Sequence, residues 1–191
     1  MENNTDIIYI RRILDGDTGA FSFLVDKYRQ MVFTLALKIT GNREEAEDAA
    51  QEIFVKCFRS LGTYNNRAAF ATWLYRITYN HSVDIVKKNN RKRHTGNIDV
   101  DAEEDHPTHP SLDETIDLKE IKVLLKHAIN RLSADDQVIV TLYYYDEFPL
   151  KDIAEIMGIR ENNVKIKLYR IRSKLQEVLQ SKNEIISILN L

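Results

Sequence analysis

At 191 residues, with 43% apolar and 29% charged residues, the chain has the composition of a globular protein and the length of one medium domain or two small ones, which excludes a wholly disordered polypeptide. The net charge of −2 names no partner, but the charges are segregated: five basic residues and no acid lie from Lys87 to Arg93, and eight acids with no lysine or arginine lie from Asp99 to Asp117, a pattern of separate surfaces for separate partners. One cysteine, Cys57, excludes an intramolecular disulfide and fits a reducing compartment, and neither a secretion signal nor a run of ~20 apolar residues is present, so a cytoplasmic chain without membrane insertion is expected.

In chain order, Phe21, Leu24, Val25, Tyr28, Val32, Leu35 and Ala36 trace one face of a helix. Gly41-Asn42 separates it from a second helix. There Ala46, Ala49, Ala50, Ile53, Phe54, Cys57, Phe58 and Leu61 alternate in steps of three and one. Phe70, Trp73, Leu74, Ile77, Val83, Ile85 and Val86 predict a third long helix ending near the basic cluster. From Gly96 to Leu118 the composition changes: two of the three prolines fall here and no lysine or arginine does, which reads as an extended acidic linker.

Helical spacing resumes at Ile116, Ile121, Leu124, Leu125, Ala128 and Leu132. Ser133 with Asp136 resembles a capping box and opens a predicted helix through Val138, Leu142 and Tyr145. Pro149 suits the first turn of the next helix. No strand is predicted. The expected fold is all-α, with an N-terminal helical domain over 1–95, a linker over 96–116 and a C-terminal helical domain over 117–191.

The stretch IAEIMGIRENNVKIKLYRIRSKL, residues 153–175, carries the most information. Ala154, Gly158 and Val164 have the spacing of a helix-turn-helix: a small residue where helices cross, a glycine for a left-handed turn, and an apolar residue packing the second helix on the first. On a wheel of about 100° per residue, Leu168, Ile171 and Leu175 fall within about 40° of Val164 and form the core face. Asn162, Ile166, Tyr169, Arg170 and Ser173 point away, and Lys167 and Arg172 flank the core stripe. A solvated amphipathic helix would explain the charge alone. The outward face also offers amides for adenine edges, an arginine for guanine and an isoleucine for a thymine methyl. The lysines suit phosphates.

The segments AEDAAQEIFVKCFRSL and FATWLYRITYNHSVDIVKKNNRKR closely resemble region two of bacterial sigma factors, and the helix-turn-helix resembles their region four. Two such modules joined by a linker, without a full region three, look like the extracytoplasmic-function group. The resemblance covers about 15–95 and 120–178. It implies docking on the clamp helices of core RNA polymerase by Asp48, Gln51 and Glu52, a face otherwise read as solvated. It implies a pocket for a flipped minus-ten base in Thr63–Ala69, where Tyr64 stacks and Asn65, Asn66 and Arg67 contact the DNA. The alternative there is a plain polar turn.

Asn80 matches an asparagine near the melting site, and Lys87, Lys88, Arg91, Lys92 and Arg93 would hold phosphates of the duplex. The minus-thirty-five reader would comprise Arg160, Asn162, Asn163, Lys165, Ile166, Lys167, Tyr169, Arg170 and Ser173. Arg160 stands where the family often has a capping serine, and Ile166 where a small polar residue is common. Trp73 shares the apolar helix face with Phe70, so core packing is favoured over a melting role. The acidic linker would thread the polymerase cleft as a mimic of RNA, or serve as a solvated spacer.

The partners implied are therefore core polymerase, promoter DNA as duplex and melted strand, and an anti-sigma factor. Neither cofactor nor metal is expected. His106 and His109 are two histidines in a flexible segment with no cysteine nearby, which makes a weak metal site, and Cys57 lies in an apolar stripe as a packed residue. No nucleophile–base pairing or phosphate-cradling loop suggests an enzyme. The competing reading is a stand-alone helix-turn-helix regulator acting without polymerase. The docking face distinguishes the two. The apolar tail Ile185–Leu189 fits either packing on the domain or a partner.

Overall fold

A computed structural model of the chain describes residues 3–95 and 118–189, with side chains defined over 5–89, at 123 and over 125–178. Ahead of the acidic segment come α1 (Asn3–Leu14), α2 (Phe21–Thr40), α3 (Arg43–Ser60) and α4 (Phe70–Thr95). After it come α5 (Leu118–Asn130), α6 (Ala134–Val140), α7 (Leu150–Met157) and α8 (Glu161–Leu189). The described residues contain no strand.

The predicted stripes form the N-terminal core. Leu24, Val32 and Ala36 of α2, Ala46, Ala49, Ile53 and Cys57 of α3, and Phe70 and Leu74 of α4 are buried in one cluster. Small alanines on α3 bring its axis close to α2. The break between them follows from two residues. Gly41 caps α2 at φ 70°, a left-handed conformation costly for other residues. The Asn42 side chain accepts from the Glu45 N–H at 3.0 Å and caps α3. Burial pushes the Cys57 thiol up to about 12, so it stays protonated and unreactive.

Two features depart from expectation, α1 and the end of α6. Helix α1 was not predicted, although Asp6, Ile10 and Ile13 are buried at helical spacing. An aspartate at a core position masked the stripe. In the fold its carboxylate accepts from Lys27 Nζ at 2.7 Å and from the Tyr28 hydroxyl at 2.6 Å. Helix α4 ends near the basic cluster as expected, running through it to Thr95. Lysine and arginine are good helix formers, and cations favour a helix C-terminus. The helix expected through Tyr145 stops being α-helical at Val140. Ser133 caps its start, accepting from the Asp136 N–H at 3.3 Å. Thr141–Tyr145 then widens into a π turn, closed by the Asp146 N–H on the Thr141 carbonyl at 3.0 Å. Glu147 follows at φ 54°, a left-handed residue that is not glycine.

The two helical domains pack against each other. Leu35 and Ile39 of α2 and Tyr75 and Tyr79 of α4 belong to the same buried cluster as Ile139, Leu142, Ile153 and Ile156. The segment that joins the domains in sequence, 96–117, lies outside the described residues.

Candidate nucleic-acid and protein interfaces

Helix α7, a tight turn and α8 form the predicted helix-turn-helix. Pro149, at φ −60° and ψ 149°, precedes the first residue of α7. Gly158 ends α7 at φ 66°, and the N–H groups of Gly158 and Ile159 both donate to the Ala154 carbonyl. No atom lies within 4 Å of the position a Cβ would take there, so the dihedral and not space demands glycine. Val164, Leu168 and Ile171 are buried as predicted. Arg160, Asn162, Asn163, Lys165, Ile166, Tyr169, Arg170 and Ser173 are all exposed. Tyr169, at 74% exposure, is a large aromatic left mostly uncovered by its own chain.

Lys167 is the exception. It is half-buried and turned toward α6, with Nζ 3.3 Å from Asp136 Oδ1 and 4.0 Å from Asp135 Oδ2. Lys165 pairs with Glu161 at 3.0 Å along the helix. Arg172, which flanks the core stripe, donates from Nε to the Tyr144 hydroxyl at 2.7 Å and lies over the Tyr143 ring. The hydrogen bond to Tyr144 holds its guanidinium pKa above the ordinary value. That contact joins residues on different elements and had no signal in the sequence.

In the N-terminal domain, Thr63–Ala69 connects α3 to α4. The Tyr64 ring packs on Phe70 and Trp73, with centroids 5.6 and 5.5 Å away. Its hydroxyl donates to the Ala68 carbonyl at 2.8 Å and lies 3.1 Å from Asn66 Oδ1. Tyr64 is thus half-buried and organises the loop, while Asn65, Asn66 and Arg67 are exposed. Asn66 takes φ 57°, a left-handed conformation that asparagine tolerates better than most residues. Trp73 packs on Phe70 and Tyr64 at the edge of the core, in accord with the packing role.

Trp73, Asn80 and Lys87 recur every seventh residue on α4 and fall within about 40° of one another on the wheel. Asn80, Lys87 and Lys88 are exposed, so one stripe runs from the aromatic cluster toward the basic end. The side chains of Arg91, Lys92 and Arg93 lie outside the described residues, as do the linker with His106 and His109 and the side chains of the C-terminal tail.

Asp48, Gln51 and Glu52 are exposed on α3, opposite its core stripe. The structure adds neighbours that sequence reasoning missed. Gln51 and Glu52 border a groove with Val55, Lys56, Arg59, Ser60 and His81. His81 Nε2 of α4 meets Glu52 Oε2 at 2.9 Å. Val55 is 50% exposed, and an apolar residue off the stripe was the one visible hint. Among the described residues, no three His, Cys, Asp or Glu side chains are placed to hold a metal, and no helix is long and apolar enough to cross a membrane.

Comparison with known proteins agrees with both modules. Residues 24–92 match sigma-70 region 2 and residues 122–175 match sigma-70 region 4. The chain is 31% identical to the RNA polymerase sigma-H factor of Pseudomonas aeruginosa, covering 90% of this chain and 92% of that one. It is 28% identical to the ECF RNA polymerase sigma factor SigW of Bacillus subtilis, over 90% of this chain and 95% of that one. Among solved structures, its fold is similar to that of the sigma factor RpoE in complex with the anti-sigma factor NepR from Bartonella quintana. The TM-score there is 0.65 at 24% identity, over 84% of this chain and 96% of that one. The chain belongs to the extracytoplasmic-function sigma factors, alternative initiation factors that direct RNA polymerase to promoters.

Proposed function

We propose a division of labour between the two domains. The helix-turn-helix domain over 117–191 reads the minus-thirty-five element with the outward face of α8. Arg170 and Asn162 contact base edges, Ile166 meets apolar edges, and Arg160, Asn163, Lys165, Tyr169 and Ser173 position the helix. The domain over 1–95 docks on core polymerase through Asp48, Gln51 and Glu52. It captures minus-ten DNA with the loop around Asn65, Asn66 and Arg67, and follows the duplex along Asn80, Lys87, Lys88 and the basic end of α4. The chain performs no covalent chemistry and works in the cytoplasm. The sigma factor RpoE of similar fold is bound to the anti-sigma factor NepR, and such a partner restrains this chain as well.

The joint exposure of Asn162, Ile166, Tyr169 and Arg170 beside the buried Val164–Leu168–Ile171 stripe carries this reading. A helix needing only solubility would have no reason to expose an isoleucine and a tyrosine between its basic residues.

The test is transcription by core polymerase on genomic fragments, with and without the protein, with starts mapped. New starts sharing two spaced motifs are expected. Arg170→Ala is expected to lower minus-thirty-five affinity by about 1–3 kcal/mol and to relax specificity at one position. Unchanged promoter preference would remove Arg170 from base readout. Asp48→Lys is expected to lower core affinity roughly ten-fold or more by placing a cation on an acidic docking face, with duplex binding intact. Tight duplex binding without any new starts would point instead to a stand-alone regulator.

A further inference from the structure

Along the edge of α8 that faces α6, two lysines stand two turns apart, and one carboxylate meets both. Asp136 Oδ1 lies 3.3 Å from Lys167 Nζ, and Asp136 Oδ2 lies 3.9 Å from Lys174 Nζ. Asp135 Oδ2 adds a second acid 4.0 Å from Lys167. The carboxylate of Asp136 is the enclosed partner, with 14% of its side chain exposed against 34% for Lys167 and 59% for Lys174. On the helical wheel both lysines fall within about 60° of Arg170. They therefore stand beside the base-facing edge, where the phosphates of one strand run when a helix lies in the major groove.

Burial decides whether a phosphate can take these lysines. Lys165, on the other edge of the outward face, pairs with Glu161 at 3.0 Å, and both side chains are about half in water. Water screens such a pair and replaces it, so Lys165 exchanges Glu161 for a phosphate with little loss. Asp136 differs. Drawing its cations away leaves a mostly enclosed carboxylate without counter-charge, which is the costlier change. A solvent-exposed contact to phosphate does not offset it.

We propose that Asp136 is a positioning residue of the reading helix: it withholds Lys167 and Lys174 from the DNA backbone. The proposal rests on the reading of α8 given above and deepens it. Phosphate contacts fix a helix on any duplex and carry no sequence information. With two cations withheld, a larger share of the hold comes from Arg170, Asn162 and Ile166, which meet base edges. Binding to the many competing sites of a genome then stays weak.

The full chain and a short random-sequence duplex test this, with affinity followed by fluorescence anisotropy over a range of salt. Each added lysine–phosphate contact steepens the slope of log affinity against log salt by about 0.9. Asp136→Asn keeps the shape of the side chain. It also leaves the Ser133 cap in place, because that hydroxyl accepts from the backbone N–H of Asp136. The variant is expected to bind the random duplex roughly ten-fold tighter at low salt, with a slope steeper by about 1–2. Equal affinity and slope in the two chains, or binding by neither, overturns the proposal. Adding Lys167→Met and Lys174→Met to Asp136→Asn is expected to return the wild-type slope. A triple variant as tight and as steep as Asp136→Asn overturns the proposal too, because loss of one repelling charge, and not freed lysines, would then make the difference. Failure of the underlying reading is seen apart, as an unchanged promoter preference in Arg170→Ala, and takes the proposal with it. A relaxed preference there, with an unchanged slope in Asp136→Asn, sinks the proposal alone.

Discussion

Replacing Phe70 with alanine is expected to destabilise the chain by about 3–5 kcal/mol, the cost of emptying a fully buried aromatic site. Phe70 is 1% exposed, at the first turn of α4. Its ring meets Tyr28, Tyr64 and Trp73 at centroid distances of 5.5, 5.6 and 5.7 Å. Three rings on three elements cannot all collapse into the space without breaking those edge contacts, so relaxation recovers little. Thermal unfolding is expected to show a fall of roughly 2–4 °C per kcal/mol lost. On the proposed reading of the loop at 63–69 the loss extends to minus-ten recognition, because Tyr64 holds that loop and rests on Phe70. Minus-ten recognition should therefore fail at temperatures where the helix-turn-helix domain still binds its duplex. A fall below 1 kcal/mol would mean that neighbouring side chains fill the site and that the loop is held by its hydrogen bonds alone.

Asp6→Ala is expected to cost about 3 kcal/mol, an unusual sum for a surface-facing N-terminal helix. The reason is geometry and burial together. Asp6 is 2% exposed and receives two short charge-assisted hydrogen bonds, from Lys27 and from the buried Tyr28. Removing the carboxylate leaves an ammonium without its counter-charge at a half-closed site, the situation in which breaking a buried pair is most costly. The exposed Arg12–Asp17 pair is as short, at 2.6 Å, with both side chains about half in water. Its removal should cost under ~1 kcal/mol because water screens it and replaces it. Urea denaturation of the two variants side by side checks the contrast. Equal midpoints would show that α1 contributes nothing to the cooperative unit.

Much of this was legible in the residues because it is local. The stripes of α2, α3 and α4 are periodic, and a helix with one apolar face has one way to bury it. Gly41-Asn42, Ser133 and Gly158 act through dihedrals and hydrogen bonds within a few residues, so they read correctly in isolation. The outward face of α8 followed from the same arithmetic, and all its predicted members except Lys167 are well exposed. Helix α1 was lost because its stripe includes Asp6, whose partners lie 21 and 22 residues away. The π turn was lost because periodicity does not register one widened turn.

The sequence by itself determined two helical modules, their order and which face of α8 is buried and which exposed, since each depends on spacings within a single element. Only the tertiary structure decided that Tyr64 is a loop anchor as well as an aromatic, that His81 faces Glu52 across two helices, and that the modules close on each other. The Tyr75–Asp146 and Tyr79–Asp135 hydrogen bonds join residues 71 and 56 positions apart. A pairing at that distance leaves no periodic trace in the chain, because it depends on which buried faces meet and not on how either face is spelled.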